Sequence, residues 1–316
     1  MIKIDLITGF LGSGKTTFIR HYARSFLDAG KRICILENDF GAINVDRVLL
    51  QDLLGENCGM EMIVGGDGQE SHQRRMRTKL IAMAMNGYER IIVEPSGIFD
   101  VDELFDLLYE EPLDTWYEMG SVLTIVDTGL PDVLSDESDY LLASQCACAG
   151  RLILSRTQLY DVSRQEKVIA HINVAMEKIG SKRRFSLEGD VECRNWDDLS
   201  ANDIEGLAEC GYVHDSFVKQ QVIESGYFSS RFCYHLELPE RELRERIDDL
   251  FGDPSCVGVF RIKGYMHTTE GRWVQINATR EAVDICDCGE AQDVLIMIGE
   301  KLDDHSLRMY FPVQII

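Results

Sequence analysis

The sequence has too little positive charge to bind nucleic acid or an anionic membrane surface by electrostatics. Lys plus Arg number 32 against 54 Asp plus Glu, a formal net charge of −22 over 316 residues, and polyanion binding needs a surplus of cations. The sequence also lacks the run of about 18 uninterrupted apolar residues that a membrane-spanning helix needs. Its first residues, M-I-K-I-D-L-I-T-G-F, lack the charged start, long apolar core and small-residue cleavage site of a secretory signal. A cytoplasmic protein is the expectation. There is no internal repeat and no low-complexity tract. The Cys-x₂-Cys … Cys-x₂-Cys spacing of a structural zinc site is missing as well. Ten cysteines are present, and in a cytoplasmic chain they are expected as reduced thiols. Cys34, Cys58, Cys193, Cys210, Cys233 and Cys256 stand alone in the sequence and read as small buried apolar residues.

What is present is ordinary globular material, 45% apolar and 27% charged, which excludes a disordered chain. The length predicts about two domains at ~150 residues each. Short apolar runs at 2–7, 32–36, 61–64, 90–93, 121–126 and 151–154 alternate with helical patterns such as 15–27, 73–85 and 101–108. That alternation predicts an α/β domain with a mostly parallel sheet covered on both faces. A further amphipathic helix is expected at 162–179, and 195–210 is polar with a weak helical pattern. The texture loosens over 214–230, so we divide the chain at 1–220 and 221–316. The second part predicts a small α+β domain: strands at 231–238, 257–267, 272–277, 282–286 and 294–298, a charged helix at 239–251 with Pro239 in its first turn, and a short last helix from about 300.

Residues 9–16 read G-F-L-G-S-G-K-T, a full match to G-x-x-x-x-G-K-[ST] between an apolar strand and an amphipathic helix. Backbone N–H groups must wrap a phosphate there, and Gly9, Gly12 and Gly14 permit the approach. The positive end of the following helix adds to the field. Lys15 supplies a point charge for the β and γ phosphates, and Thr16 a hydroxyl for Mg²⁺. Ser13 and Thr17 complete the candidate nucleotide-binding set. A second strand ends in Glu94-Pro95-Ser96-Gly97, where Glu94 is placed to hold Mg²⁺ through water or to orient the attacking water. The structural alternative is an acidic turn that caps a helix.

With the loop, Glu37-Asn38-Asp39-Phe40-Gly41 and Glu94-Pro95-Ser96-Gly97, the chain resembles the CobW-type P-loop GTPases, relatives of the accessory GTPases of urease and hydrogenase maturation. G-F-L-G-S-G-K-T-T is typical of that family. E-N-D-F-G is similar to its E-N-E-F-G switch segment, and Asp46 matches an acidic position that follows. Residues 258–264, G-V-F-R-I-K-G, resemble the R-x-K-G strand of its C-terminal domain, and 296–299 with Leu302 its last strand and helix. The resemblance implies a GTP- and Mg²⁺-dependent switch that carries a metal ion, or inserts a metal-containing cofactor such as a cobalamin, into a client protein. In such proteins the γ phosphate orders segments that relax after cleavage. Carried over, Glu37 and Asp39 belong to the switch and Glu94 to the Mg²⁺ or water shell.

Two departures qualify the resemblance. The family's G-C-x-C-C metal motif is replaced: after 61–64 come Gly65-Gly66-Asp67-Gly68-Gln69-Glu70, so Asp67, Gln69 and Glu70 stand where thiolates would. Hard oxygen does not form a tight zinc or cobalt thiolate site. Asp67 and Glu70, with His72, offer an oxygen/nitrogen site, and an acidic helix start is the alternative. The base-reading N-K-x-D is also replaced, by Ser155-Arg156-Thr157-Gln158. Arg156 is placed to stack on a base. Gln158 offers one acceptor and one donor, a poor match to guanine's two donors and a fair one to adenine. GTP or ATP therefore both remain open. Two Cys-x-Cys pairs, Cys146/Cys148 and Cys286/Cys288, are further candidate metal ligands, with Glu290 or His305 as added donors. The alternative to a metal carrier is a nucleotide-dependent factor that assembles or reactivates a client enzyme without metal cargo. A small-molecule kinase shares the phosphate loop but not E-N-D-F-G or the C-terminal domain.

Overall fold

In the computed structural model, which describes residues 1–39, 47–64, 69–97, 101–219, 227–280 and 282–311, the alternating runs become a strand–helix series. The chain divides into two compact units, Met1–Gln220 and Gln221–Ile316. The first contains β1 (Ile2–Gly9), α1 (Lys15–Asp28), β2 (Ile33–Asp39), α2 (Arg47–Leu50), β3 (Cys58–Val64), α3 (Gln69–Ala84), β4 (Arg90–Pro95), α4 (Val101–Leu108) and α5 (Leu113–Trp116). It continues through β5 (Tyr117–Asp127), α6 (Asp136–Ala147), β6 (Arg151–Ser155), α7 (Val162–Lys178), the two-residue β7 (Val191–Glu192) and α8 (Ala201–Ala208).

Its strands form one seven-stranded sheet in the order β3-β2-β4-β1-β5-β6-β7. The paired strands are all parallel. Parallel strands need a buried surface on both faces, and successive residues supply it. Ile4, Leu6, Cys34, Leu36, Ile91 and Val93 pack with Leu80 of α3 and Leu104 of α4. Their alternates Ile7, Ile33, Ile35, Ile92 and Ile125 pack with Phe18, Ile19 and Tyr22 of α1 and Leu207 of α8. Helix α6 shows no amphipathic stripe because it is buried nearly all round, from Ser138 to Ala147. The strand β1 lies at the centre, and every crossover leaves its strand at the edge where the phosphate loop begins, the position at which open α/β sheets bind ligands.

The second unit contains β8 (Phe228–Tyr234), α9 (Glu240–Gly252), β9 (Val259–His267), β10 (Trp273–Ala278), β11 (Val283–Asp287), β12 (Val294–Glu300) and α10 (Asp304–Tyr310). Its five strands form an antiparallel sheet in the order β11-β10-β9-β12-β8. One sheet face packs on Leu243, Ile247 and Leu250 of α9 and Leu307 of α10. Two expectations shift here. The strand expected at 231–238 runs Phe228–Tyr234, because His235 turns left-handed (φ 56°) and ends it. Leu236 and Leu238 still enter the core, as coil. The last helix starts at Asp304 rather than near 300, because Glu300 extends β12 opposite Phe228. Among the described residues, no helix is long and apolar enough to cross a membrane.

Candidate functional site

The end of β1 and the start of α1 are joined by the glycine-rich loop. Gly14 caps α1 at φ 96°, a left-handed conformation, and a Cβ there would lie 3.2 Å from Cη2 of Trp196. A side chain at that position would be both strained and crowded. The Trp196 indole, held by its N–H to the Leu154 carbonyl at 3.2 Å, buttresses the loop from behind. Lys15 is buried, and its ammonium donates to the Gly9 carbonyl at 3.0 Å, across the mouth of the loop. The hydroxyl of Ser13 is buried with no hydrogen-bond partner among the described residues. Gly9, Gly12, Ser13, Gly14, Lys15 and Thr16 are therefore contiguous at one place, whereas Thr17 points outward and is exposed.

Two carboxylates face each other on the adjacent strands β2 and β4, and one of them, Glu94, meets the loop. Glu37 of β2 and Glu94 of β4 are register partners, on strands ~4.8 Å apart, and only 4% and 8% of each is exposed. The Thr16 hydroxyl donates to Glu94 Oε1 at 2.8 Å. Two carboxylates buried side by side repel unless a cation lies close. The donor set, two carboxylates and a hydroxyl, is all hard oxygen and fits Mg²⁺. Asp39 ends β2 opposite Val64 of β3. Asp46 and Asp67 lie outside the described residues, and Glu70 stands in the first turn of α3.

The third wall is the turn after β6. Arg156 adopts φ 56° and pairs its guanidinium with Asp127 at the end of β5. Its other nitrogen donates to the Gly12 carbonyl at 3.2 Å. The turn is thereby tied to the phosphate loop. The guanidinium of Arg156 is engaged by Asp127 and Gly12, and the expected stacking on a base falls to its methylene stem. Gln158 follows on the exposed side of the 3₁₀ turn Thr157–Leu159. Asp127 and Trp196 were not singled out by the sequence reading. Asp127 had a signal, a carboxylate closing an apolar strand as Glu94 does. Trp196 is brought to the loop only by tertiary packing.

Among the described residues, neither cysteine pair gains a third metal ligand. Cys146 and Cys148 are buried, and burial pushes the Cys146 thiol up to about 12. Cys286 is exposed and Cys288 half-buried, on and just beyond β11 at the sheet edge. Among the described residues, no group of three or more His, Cys, Asp or Glu stands close enough to hold a metal ion, so Glu290 and His305 add no third ligand to either pair.

The chain is similar in sequence to several known proteins. The zinc chaperone YeiR of Escherichia coli K12 is 30% identical over 161 residues, which is 50% of this chain and 47% of YeiR. The zinc chaperone YjiA of the same organism is 27% identical over 183 residues, 54% of this chain and 55% of YjiA. Zinc-regulated GTPase metalloprotein activator 1 of Schizosaccharomyces pombe is 22% identical over an alignment of 354 residues, 95% of this chain and 83% of that protein. The chain thus spans about half the length of YeiR and YjiA. Residues 3–184 match the family model for the CobW/HypB/UreG nucleotide-binding domain. That match takes in more than half of the chain, and the chain belongs to the CobW/HypB/UreG family.

Proposed function

We propose that this protein is a nucleoside-triphosphate-hydrolysing switch that gates delivery of a metal ion, zinc in the first instance, to a client protein. The observation that carries the reading is the Glu37–Glu94 register pair beside Thr16 and Lys15. In this reading the loop residues Gly9 to Thr16 cradle the phosphates. The Lys15 ammonium exchanges a neutral carbonyl for phosphate oxygens, a stronger charge-assisted contact. Thr16, Glu37 and Glu94 would hold Mg²⁺, which when bound supplies positive charge to the β and γ oxygens. Glu94 orients the attacking water, and Glu37 and Asp39 of β2 belong to the switch that would respond to loss of the γ phosphate. Asp127 fixes Arg156 against Gly12, so the base side and the phosphate side move as one piece.

The finer choices follow from side-chain chemistry. Gln158 gives guanine one acceptor where two donors need satisfying, and the loss of a charged fork is worth ~1.5–3 kcal/mol. ATP is therefore admitted alongside GTP. The names of YeiR and YjiA as zinc chaperones support zinc as cargo. Asp67 and Glu70 would bind it more weakly than thiolates do, which suits a carrier that must let go. Asp67, Gln69 and Glu70 in place of sulfur also favour a second reading, an assembly factor for a client enzyme with no metal cargo. The test is zinc titration, with a chromophoric chelator as competitor, of untagged protein loaded with GDP or with a non-hydrolysable GTP or ATP analogue. One equivalent bound in the analogue state and released in the GDP state, lost in Asp67→Ala, supports the switch. Equal zinc affinity in both states contradicts it, and none in either state leaves the assembly factor.

A further inference from the structure

Helix α6 carries one buried amide whose hydrogen bonding is directed at the nucleotide site. Gln145 is 0% exposed. Its Nε2 donates to the Gly97 carbonyl at 2.8 Å. Its Oε1 has no hydrogen-bond partner among the described residues, while its backbone carbonyl accepts from the Thr124 hydroxyl of β5 at 2.8 Å. An amide so poorly satisfied costs more to bury than an apolar side chain of the same length. The α6 neighbours Leu141, Leu142 and Cys146 are apolar and equally buried. What the amide adds, among the described residues, is its hydrogen bond to Gly97.

Gly97 is no ordinary loop residue. It lies three positions beyond Glu94, and a Cβ placed on it would stand 2.6 Å from Leu11 Cδ2 and 3.0 Å from Leu11 Cα. The chain after β4 therefore runs directly against the phosphate loop at a point where only glycine fits. Glycine has no side chain to restrict its own ψ. The Gln145 amide does so from outside, by fixing the direction of the carbonyl.

We propose that Gln145 is a positioning residue for nucleotide hydrolysis: by holding Gly97 against Leu11 it keeps the end of β4, with Glu94, in one geometry over the phosphate loop. This rests on the reading of the site as a triphosphatase. The amide makes no hydrogen bond to the loop or to α1, and the loop keeps its own ties through Arg156 to Gly12 and Lys15 to Gly9, so the grip on a diphosphate is expected to survive without it, whereas alignment of the Glu94 end of β4 is not. The step it serves is attack of water on the γ phosphorus with departure of the diphosphate, and misalignment there raises the barrier without weakening the ground state.

The experiment compares wild type, Gln145→Met and Gln145→Glu in single-turnover hydrolysis of GTP and ATP with Mg²⁺, alongside calorimetric titration of GDP and ADP. Gln145→Met keeps the length and removes the donor. It is expected to lower the hydrolysis rate about fivefold to tenfold, the worth of one neutral hydrogen bond, with diphosphate affinity within twofold of wild type. Gln145→Glu donates to Gly97 only while protonated. Its rate relative to wild type is expected to fall as pH rises from 5 to 8, a dependence that a space-filling role would not give. A Gln145→Met rate within twofold of wild type overturns the inference, and so does a loss of rate and of diphosphate affinity by the same factor. Gln145→Glu tracking the wild-type pH profile overturns it too. A wild-type chain that turns over neither nucleotide overturns both the inference and the reading of the site.

Discussion

Replacing Arg90 with Met is expected to cost about 3 kcal/mol of stability at neutral pH, a fifth or more of the ~5–15 kcal/mol that a folded domain has in hand. Asp5 of β1 is 0% exposed. Its carboxylate accepts from the Tyr22 hydroxyl of α1 at 2.8 Å, from the Ser121 N–H of β5 at 2.9 Å and from the Arg90 guanidinium of β4. The elements that carry Lys15, Thr16 and Glu94 are thus pinned together at this carboxylate. Burial pushes the Asp5 pKa up, and Arg90 beside it pulls it part of the way back. Removing one partner of a buried pair costs ~3–5 kcal/mol, because the other charge stays buried. The two hydrogen bonds that survive keep the loss near the lower end. The Arg90–Glu209 contact adds little, since Glu209 is 55% exposed. The guanidinium also lies 4.7 Å over the Phe26 ring, a contact worth ~0.5–1 kcal/mol that Met partly replaces. The sign of the pH dependence follows from the ionised form being the costly one. An acid whose folded-state pKa is raised is most at ease below its ordinary value, 3.8, and its burial penalty grows as pH rises through the folded value. The gap between wild type and Arg90→Met should therefore be widest at pH 7 and narrow toward pH 4. Urea unfolding followed by circular dichroism from pH 4 to 8 measures it, and adding Asp5→Asn to Arg90→Met should recover much of the loss. A variant within 1 kcal/mol of wild type at pH 7, or a gap that does not change with pH, would refute the reasoning.

Three further outcomes are expected. Wild type discriminates GTP from ATP by less than ~100-fold, and Gln158→Asp with Ser155→Asn shifts the choice toward GTP, as read by titration of both nucleotides at equal Mg²⁺; a GTP preference above ~1,000-fold that survives Gln158→Ala would sink the base-reading argument. Lys15→Ala loses triphosphate affinity by at least ~100-fold, the cost of two charge-assisted contacts, and unchanged binding in an equilibrium titration would remove Lys15 from the phosphate site. Alkylation of the native protein at pH 8 labels the exposed Cys286 first and leaves Cys146, held at about 12 by burial, unmodified until the chain unfolds; a native-state adduct mapped to Cys146 would contradict that burial.

The parallel sheet was legible because its strands are buried on both faces and so read as continuous apolar runs. Ile2–Gly9, Ile33–Asp39 and Arg90–Pro95 stand out for that reason. Helix α6 left no such trace, since a helix buried all round has no polar face to set a period. Edges were legible only where a local signal marks them. The end of β8 is set by its pairing with Val294 and by the left-handed His235, neither of which the alternation in 231–238 reveals. At the site, Lys15, Thr16 and Glu94 carry motif spacing and were visible. The facing of Glu37 by Glu94 is a matter of strand order, Trp196 reaches the loop from 187 positions beyond Gly9, Asp127 acts on it through Arg156, and Gln145 meets Gly97 from 48 positions away. No pattern in a single sequence joins residues at such separations; only the folded sheet does.

In the proposed switch, the carboxylate at the end of β4 turns a bound triphosphate over. Single-turnover hydrolysis by Glu94→Gln, with triphosphate affinity measured on the same preparation, tests it most directly. The expected result is affinity within a few-fold of wild type and a rate lower by ~10²–10⁴, the usual worth of a positioned general base. Turnover in Glu94→Gln equal to that of wild type would contradict it.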